Sequence, residues 1–361
     1  MLWDPFKPSH HCSETTLSVV SLCNSEIESP HLLAIGSDLG TVDIVDLQNR
    51  SSIASFNNLH DDKVLDVEFY SRDHILSYDK FSFIHLDVEQ NDRTVLYDRQ
   101  DSIQCLTLST YTSKYGSNNY NYRVSPILAS TKSKILNFDL HLPDPIILMD
   151  DQTGITELCL LPDEHTILGL QNNLLVSTDF RNPTQFYSIN TNIKFSRLSC
   201  NNNYLAAVTT NCQLYSFELP LIPTSYTQLI PYGKKIEDNP FISRPAFCGD
   251  YIVTGNEYGV IFVTDPVSGE YEMLESPLDT PTISVCATTS EICVSYEDDI
   301  YVFSYFEFED NLLRPIDTDD DDMIFDDEGN ITTRNESNEK GEDWLSQVAE
   351  IDLEEGECSY E

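Results

Sequence analysis

Positive charge is scarce in this sequence of 361 residues. Lysine and arginine together number 20, against 61 aspartates and glutamates, and the formal net charge is −41. A field of that sign repels nucleic acid and anionic membranes and attracts cationic proteins. We therefore expect basic proteins as partners, with no direct contact to nucleic acid or to a membrane. An acidic surface also keeps a protein soluble, and net charge alone does not separate the two roles.

Long apolar runs and closely paired cysteines are also missing. No run approaches the roughly 18 apolar residues of a membrane span, and the first residues contain no apolar core of a secretory signal. The ten cysteines are spread singly, and five of them fall in apolar, strand-like runs: Cys23, Cys105, Cys159, Cys200 and Cys286. Buried single cysteines behave as small hydrophobic residues and suit a reducing compartment. We expect an intracellular protein of the nucleus, the cytoplasm or both.

The sequence motifs of common enzymes are absent. There is no G-x-x-x-x-G-K-[ST] loop, no G-x-G-x-x-G, no G-x-S-x-G and no H-E-x-x-H. His10, His11 and Cys12 offer three metal ligands, but a fourth at a known zinc spacing is lacking. We expect no enzymatic activity, no cofactor and no bound metal.

What the chain does contain is a repeat of about forty residues. Its unit is an apolar strand, a turn, a second apolar strand, a polar turn, and a third strand that ends in most copies in an acid. The clearest copy runs from His60 to Asp87, with turns at residues 71–73 and 78–80. The third strands end at positions 46, 87, 139, 179, 218, 265 and 304. Near-regular spacing of this kind is typical of repeat architectures with one supersecondary unit per copy.

The unit resembles the WD repeat, in which a His opens the unit, an Asp lies in the tight turn and a Trp-Asp pair closes the third strand. His60 and Asp79 match that pattern, while Leu86 stands where the family has Trp. Residues 34–44 and 253–263 add the family's glycine-containing turns, where φ is often positive. The resemblance covers about residues 15–305 and implies an all-β, seven-bladed β-propeller of four-stranded antiparallel blades. The alternative is an irregular β-sandwich.

The repeat divides the chain into three predicted parts. Residues 1–14 form an N-terminal segment and candidate closing strand, residues 15–316 form the propeller, and residues 317–361 form an acidic tail. The outer strand that completes the last blade comes either from residues 2–6 or from residues 306–316, and the family resemblance favours the former. The propeller is itself acidic, since residues 1–316 hold 43 acids and 18 bases.

Two long spacings locate insertions. The first, at residues 111–123, lies between the first two strands of blade three and is rich in Tyr and Asn, as adaptable recognition loops are. Its candidate partner-binding residues are Tyr115, Tyr120 and Tyr122. The second, at residues 231–241, leads into blade six and contains the basic pair Lys234 and Lys235. That pair is interpreted as a counter-charge to a neighbouring acidic patch.

The tail holds 18 acids and 2 bases. We expect it to be disordered, because such a block of like charge cannot form a core. Its candidate partner-binding acids are Asp319, Asp320, Asp321, Asp322, Asp326 and Asp327. An apolar motif follows, formed by Trp344, Leu345, Val348 and Ile351. Trp344, Val348 and Ile351 have the spacing of one face of a short helix, which predicts docking on a partner or on the propeller.

Charge and resemblance together predict a non-catalytic protein-binding scaffold. Acidic proteins that resemble this one include chaperones of ribosomal proteins, ribosome-assembly factors and histone binders. The leading hypothesis is therefore a scaffold or escort for basic proteins, with ribosomal proteins or histones as clients and ribosome assembly as one candidate process. We expect a monomer by itself that works within a complex. One alternative is a structural subunit of a stable multiprotein complex, and another is a substrate adaptor of a ubiquitin ligase. The latter rests on residues 178–181, Thr-Asp-Phe-Arg, which resemble the Asp-x-Arg ending of such adaptors.

Overall fold

The structure of the chain is a computed structural model that describes most of residues 2–306. The described ranges are 2–6, 17–22, 31–49, 51–98, 101–108, 126–142, 144–150, 154–163, 165–183, 186–191, 193–211, 213–221, 225–231, 243–256, 258–274, 280–288, 291–296 and 299–306. These ranges form 28 strands and no helix. The strands pair in seven separate four-stranded sheets.

The first four sheets follow chain order. Blade one consists of β2 (Leu17–Leu22), β3 (Leu32–Ser37), β4 (Val42–Asp46) and β5 (Ser51–Phe56). Blade two consists of β6 (Asp66–Phe69), β7 (His74–Tyr78), β8 (Ser82–Asp87) and β9 (Asp92–Asp98). Blade three consists of β10 (Ile103–Leu108), β11 (Ile127–Thr131), β12 (Ile135–Phe138) and β13 (Ile146–Met149). Blade four consists of β14 (Ile155–Leu160), β15 (Thr166–Gln171), β16 (Leu174–Asp179) and β17 (Tyr187–Ser188).

The last three sheets include one strand from the other end of the chain. Blade five consists of β18 (Phe195–Cys200), β19 (Tyr204–Thr209), β20 (Gln213–Glu218) and β21 (Thr227–Pro231). Blade six consists of β22 (Ala246–Cys248), β23 (Tyr251–Gly255), β24 (Ile261–Thr264) and β25 (Tyr271–Leu274). Blade seven consists of β26 (Ser284–Ala287), β27 (Glu291–Ser295), β28 (Ile300–Phe306) and β1 (Leu2–Phe6).

The first strands of the blades lie side by side around a common axis. Strand β2 contacts both β6 and β26, β14 contacts both β10 and β18, and β22 contacts both β18 and β26. The contact of β2 with β26 joins the last blade to the first and closes the ring. The arrangement is a seven-bladed β-propeller, which confirms the fold class predicted from the repeat. The predicted third-strand endings fall within two residues of the ends of β4, β8, β12, β16, β20, β24 and β28.

Blade seven is completed by the N-terminal strand. Strand β1 pairs antiparallel with β28, in a register that runs from Leu2 opposite Phe306 to Phe6 opposite Val302. Every other blade is built from four consecutive strands. This pairing gives the third strand of blade seven an outer neighbour, so that it is not left as an open edge.

The apolar core lies between neighbouring blades. Phe83 of blade two meets Phe138 of blade three, with ring centroids 4.7 Å apart and the rings edge to face. Leu86, which stands at the family's Trp position, is fully buried between blades one and two. Each blade therefore buries both of its faces only because another blade stacks on each side, as repeat architectures require.

The antiparallel order gives the ring two different ends. The turns between second and third strands, and the links from one blade to the next, lie at one end, which we call the connecting face. The turns between first and second strands, and between third and fourth strands, lie at the other end, which we call the closing-turn face. These definitions follow from the strand order alone.

Candidate protein-interaction surfaces

The acids that end the third strands have a structural role in the turns that follow. The Asp46 carboxylate accepts hydrogen bonds from the backbone N–H groups of Gln48 and Asn49, at 2.8 and 3.0 Å. The same arrangement recurs after other third strands, at Asp87, Asp139, Asp179 and Asp265. A side chain that accepts from the backbone two or three residues ahead stabilises a turn and ends the strand. The repeated acid in the sequence is thus a turn-forming residue.

The tight turns between second and third strands of blades one and six contain glycine, as the sequence predicted. Gly40 and Gly259 have φ values of +72° and +80°, as expected for turn glycines. Gly36 and Gly255 lie within the second strands β3 and β23. At Gly255 the glycine is needed for space, because the side chain of Thr282 occupies the position that a Cβ atom would take.

His60 connects blade one to blade two. It lies in the link that leads into β6, and its Nε2 and Nδ1 atoms are each 2.8 Å from a serine hydroxyl, Ser77 and Ser82 respectively. Asp79, in the tight turn, is 3.5 Å from Nδ1. Burial lowers the pKa of His60, while the nearby Asp79 opposes that shift. The His that opens the repeat therefore holds the link between blades one and two against the tight turn of blade two.

The closing-turn face carries most of the acid excess of the described residues. Its described turns, together with the strand residue on either side of each turn, contain fourteen acids and two arginines. Their formal charge is −12. The acids are Asp46, Asp73, Asp87, Glu89, Asp92, Asp139, Asp144, Asp163, Asp179, Glu218, Asp250, Asp265, Glu270 and Glu291, and the arginines are Arg72 and Arg181.

The connecting face has a more balanced charge. Counted in the same way, its described residues include nine acids and six bases, a formal charge of −3. Its tight turns also expose large apolar side chains, at Leu39, Phe81, Leu174 and Tyr258. Among the described residues, therefore, the closing-turn face is the more anionic of the two ends.

A group of charged side chains, which we call the channel network, meets inside the ring. Arg244, just before β22 of blade six, has Nη1 3.0 Å from Oδ2 of Asp66 and Nη2 3.0 Å from Oε2 of Glu157. Asp66 belongs to the first strand of blade two, and Glu157 to that of blade four. Arg197 of blade five reaches the other oxygen of Glu157 at 2.6 Å, and Glu68 of blade two is 3.8 Å from Arg244. One arginine thus joins three blades across the central channel.

Burial shifts the proton affinities in this channel network. Burial and the neighbouring Asp66 raise the pKa of Glu68 to about 8, although Arg244 opposes the shift. Burial also raises the pKa of Asp66. Burial alone would lower the pKa of Arg244, but the carboxylates of Glu157 and Asp66 hold it well above its ordinary value. With Glu68 protonated near neutral pH, two guanidinium groups face two carboxylates and the network is close to charge balance.

The Asp-x-Arg ending found in the sequence forms an internal ion pair. Arg181 places Nε 3.0 Å from Oδ1 and Nη2 2.7 Å from Oδ2 of Asp179, a two-pronged contact. That contact lowers the pKa of Asp179 to about 2. Both residues lie on the closing-turn face and are exposed. The guanidinium group is therefore already bound by its own turn.

The residues selected from the sequence as partner-binding lie outside the described ranges. They are Tyr115, Tyr120 and Tyr122 of the first insertion, and Asp319, Asp320, Asp321, Asp322, Asp326, Asp327, Trp344, Leu345, Val348 and Ile351 of the tail. His10, His11, Cys12 and the pair Lys234–Lys235 lie outside them as well. The strands that flank the first insertion, β10 and β11, are neighbours in blade three, as predicted.

Two other kinds of site are absent from the described residues. Within those ranges, no group of three or more His, Cys, Asp and Glu side chains is arranged to hold a metal ion. The described ranges also contain no helix that is long and apolar enough to cross a membrane.

Comparison with known proteins gives a structural match. No family model and no curated relative matches the sequence. Among solved structures, the chain is similar to the crystal structure of the β-propeller domain of Cps50 (Swd1) from Myceliophteria thermophila, with a TM-score of 0.62 at 13% identity. The match covers 81% of this chain and 100% of that domain. The match agrees with the β-propeller fold seen in this chain. At this identity the likeness concerns the fold alone.

Sequence reasoning missed the channel network of this β-propeller. Asp66, Glu157, Arg197 and Arg244 stand in different repeats, and each looks like an isolated charge in or beside an apolar strand. One signal was available, because a first strand of a propeller faces neighbouring blades and the axis. A charge there requires a partner. The opposite signs at corresponding positions of β14 and β18, Glu157 and Arg197, are the trace of such a pair.

Proposed function

We propose that this propeller is a non-catalytic scaffold that binds basic proteins and escorts them, with ribosomal proteins and histones as the client classes. The WD-repeat fold supports the general part of the proposal, since rigid propellers serve as platforms for protein interaction. The acid excess among the described residues of the closing-turn face supports the specific part. Fourteen acids against two arginines on the closing-turn face attract a cationic partner to one end of the ring.

In this proposal the acidic tail works together with the closing-turn face. Strand β28 runs toward that face, so Phe306, the last described residue, lies at the acidic end of the ring. The 18 acids of residues 317–361 add to the field that steers a basic client. The client would be held in the nucleus or the cytoplasm, and neither nucleic acid nor membrane would be bound directly.

The first test is affinity purification of the full chain at low and at moderate salt, with quantitative mass spectrometry. We expect ribosomal proteins or histones to be enriched, and more strongly at low salt, because exposed charges are screened beyond about 8 Å at physiological ionic strength. If neither class is enriched, the proposal fails. Recovery of one fixed assembly at both salt concentrations would instead support a structural subunit of a stable complex.

The second test separates the closing-turn face from charge in general. One variant carries Glu89→Lys, Glu218→Lys and Glu270→Lys, three exposed acids of that face on blades two, five and six. The matched variant carries Asp38→Lys, Asp61→Lys and Asp62→Lys, three exposed acids of the connecting face. Both variants have the same net charge. With purified core histones as the probe, the first variant should bind at least tenfold more weakly than the second, and equal affinities would contradict the assignment of the face.

A ubiquitin-ligase adaptor remains the weaker alternative. The side chain that would carry it, Arg181, is engaged by Asp179 in both of its prongs. Binding to an adaptor through this guanidinium would first require that contact to open. Loss of ligase-adaptor binding on Arg181→Ala substitution would support the alternative.

A further inference from the structure

Two thiol groups meet where blades four and five touch. Cys159 lies on β14, the first strand of blade four, and Cys200 lies on β18, the first strand of blade five. Their sulfur atoms are 2.8 Å apart. The sulfurs of a disulfide bond are about 2.05 Å apart, so bond formation requires them to approach by less than about 1 Å.

The two thiols differ in their surroundings. Cys159 is buried in the core between the blades, whereas Cys200 is only partly buried and ends its strand at the closing-turn face. The Cys200 thiol also donates to the carbonyl of Leu160 at 3.3 Å. The hydrogen bond with Cys200 and burial raise the pKa of Cys159 well above its ordinary value, so Cys159 stays protonated at neutral pH. A small oxidant from solvent therefore reaches Cys200 first.

We propose that Cys159 and Cys200 are an oxidation site at which a hydroperoxide produces a disulfide bond between blades four and five. The sulfur of Cys200 attacks an oxygen of hydrogen peroxide, the O–O bond breaks, and the thiol proton leaves with the displaced oxygen as water. Cys200 is then a sulfenic acid. The sulfur of Cys159 attacks the sulfenic sulfur, the S–O bond breaks, and the Cys159 proton leaves with the hydroxide as a second water. Two thiols and one peroxide give one disulfide and two waters.

The other described cysteines provide internal comparisons. Cys105 is buried, with its sulfur 3.1 Å from the Ser130 hydroxyl, and burial raises the pKa of Cys248 to about 11. Cys286 and Cys293 face each other within blade seven, as register partners on β26 and β27. A bond between those two would join strands that are already paired. Of these two cysteine pairs of the described ranges, only Cys159–Cys200 would link two blades.

The test is a titration of the full chain with hydrogen peroxide, followed by alkylation in denaturant and non-reducing peptide mapping. We expect the peptide pair that contains Cys159 and Cys200 to appear as the first disulfide, with two fewer alkylated thiols and full reversal by dithiothreitol. Either Cys159→Ser or Cys200→Ser should abolish that pair, and the control Cys248→Ser should leave it unchanged. Oxidation should also raise the midpoint of thermal unfolding in wild type and not in Cys200→Ser.

Three results would overturn the proposal. The first is peroxide treatment that oxidises Cys200 to sulfinic acid without forming the peptide pair. The second is a Cys286–Cys293 bond that forms at lower peroxide than the inter-blade bond. The third is an equal loss of the inter-blade pair in Cys248→Ser. The first two results are measured by peptide mapping of the wild-type chain, so they do not depend on whether the serine variants fold.

Discussion

Arg244 and Glu157 meet across the central channel, with a guanidinium nitrogen of one 3.0 Å from a carboxylate oxygen of the other. Arg244 belongs to the link that enters blade six, and Glu157 to the first strand of blade four. The Glu157 side chain is 2% exposed. Its carboxylate must therefore be stabilised by protein partners, because water does not reach it. The contact therefore links blades four and six, which are not neighbours in the ring.

Replacement of Arg244 by Met should destabilise the propeller. The change keeps much of the side-chain volume and leaves the carboxylates of Asp66 and Glu157 with one partner fewer. Removal of one member of a buried ion pair costs about 3 kcal/mol, because an uncompensated charge stays behind. Urea unfolding followed by fluorescence measures the difference. The control is Arg181→Met, which removes an equally short but exposed contact with Asp179 and should leave the unfolding midpoint unchanged. Equal effects of the two substitutions would contradict the role of Arg244.

Glu68 should make the propeller less stable as the pH rises from about 4.5 to about 8. The folded chain keeps the Glu68 proton up to a pKa of about 8, whereas the unfolded chain releases it near 4.5. Within that window the unfolded state binds fewer protons, so the free energy of unfolding falls with rising pH, by at most about 1.4 kcal/mol per pH unit. Glu68→Gln, which mimics the protonated form, should show a flatter profile than wild type. Denaturation at several pH values tests this, and parallel profiles would count against it.

Gly40 and Gly249 should respond differently to alanine. Both have positive φ, +72° and +61°, so each substitution carries the cost of a left-handed alanine, about 1 kcal/mol. At Gly40 the new Cβ would also overlap the backbone carbonyl of His60, whereas at Gly249 nothing lies within 4 Å. We expect Gly40→Ala to cost about 2–4 kcal/mol in total. Thermal and urea unfolding of the two variants compare these costs, and a Gly249→Ala effect as large as that of Gly40→Ala would refute the close-approach argument.

The two parts of the acidic tail should respond differently to salt. Neutralisation of Asp319–Asp322 to Asn should weaken binding of purified core histones mainly at low salt, because long-range attraction between exposed charges is screened. Replacement of Trp344 and Leu345 by Ala should weaken binding at every salt concentration, since burial of apolar surface is little affected by salt in this range. Titrations at low and moderate salt distinguish the two. Identical salt profiles would remove the case for separate roles.

The elements that the sequence predicted well are those with a local cause. Asp46 and Asp265 bind the backbone two residues ahead, so an acid at the end of a third strand leaves a signature within one turn. Because that turn recurs in five of the seven blades, its spacing helps to predict the number of blades. A repeat that departs from the family pattern keeps its apolar core. Leu86 stands where the family has Trp, and its side chain is fully buried.

Features with a non-local cause were not predictable in the same way. Arg244 meets Asp66 and Glu157 through ring closure, across 178 and 87 residues of chain. The periodic pattern of the sequence does not indicate which residues form such a pair. The approach of Cys159 to Cys200 depends on the stacking of two blades, although both cysteines were correctly assigned to strands. The inference that the N-terminal segment completes blade seven came from family resemblance, because two segments of the chain had suitable composition.

The pairing of β1 with β28 means that the ring is held shut by chain segments about 300 residues apart in sequence. A ribosome delivers Leu2–Phe6 before any other strand of the ring, yet these residues have no partner until blade seven is complete. During synthesis they are exposed backbone, and closure carries the entropy cost of a very long loop. The strand that closes the ring is therefore synthesised first and paired last. Substitutions in Leu2–Phe6 should act on ring closure, the last step of folding.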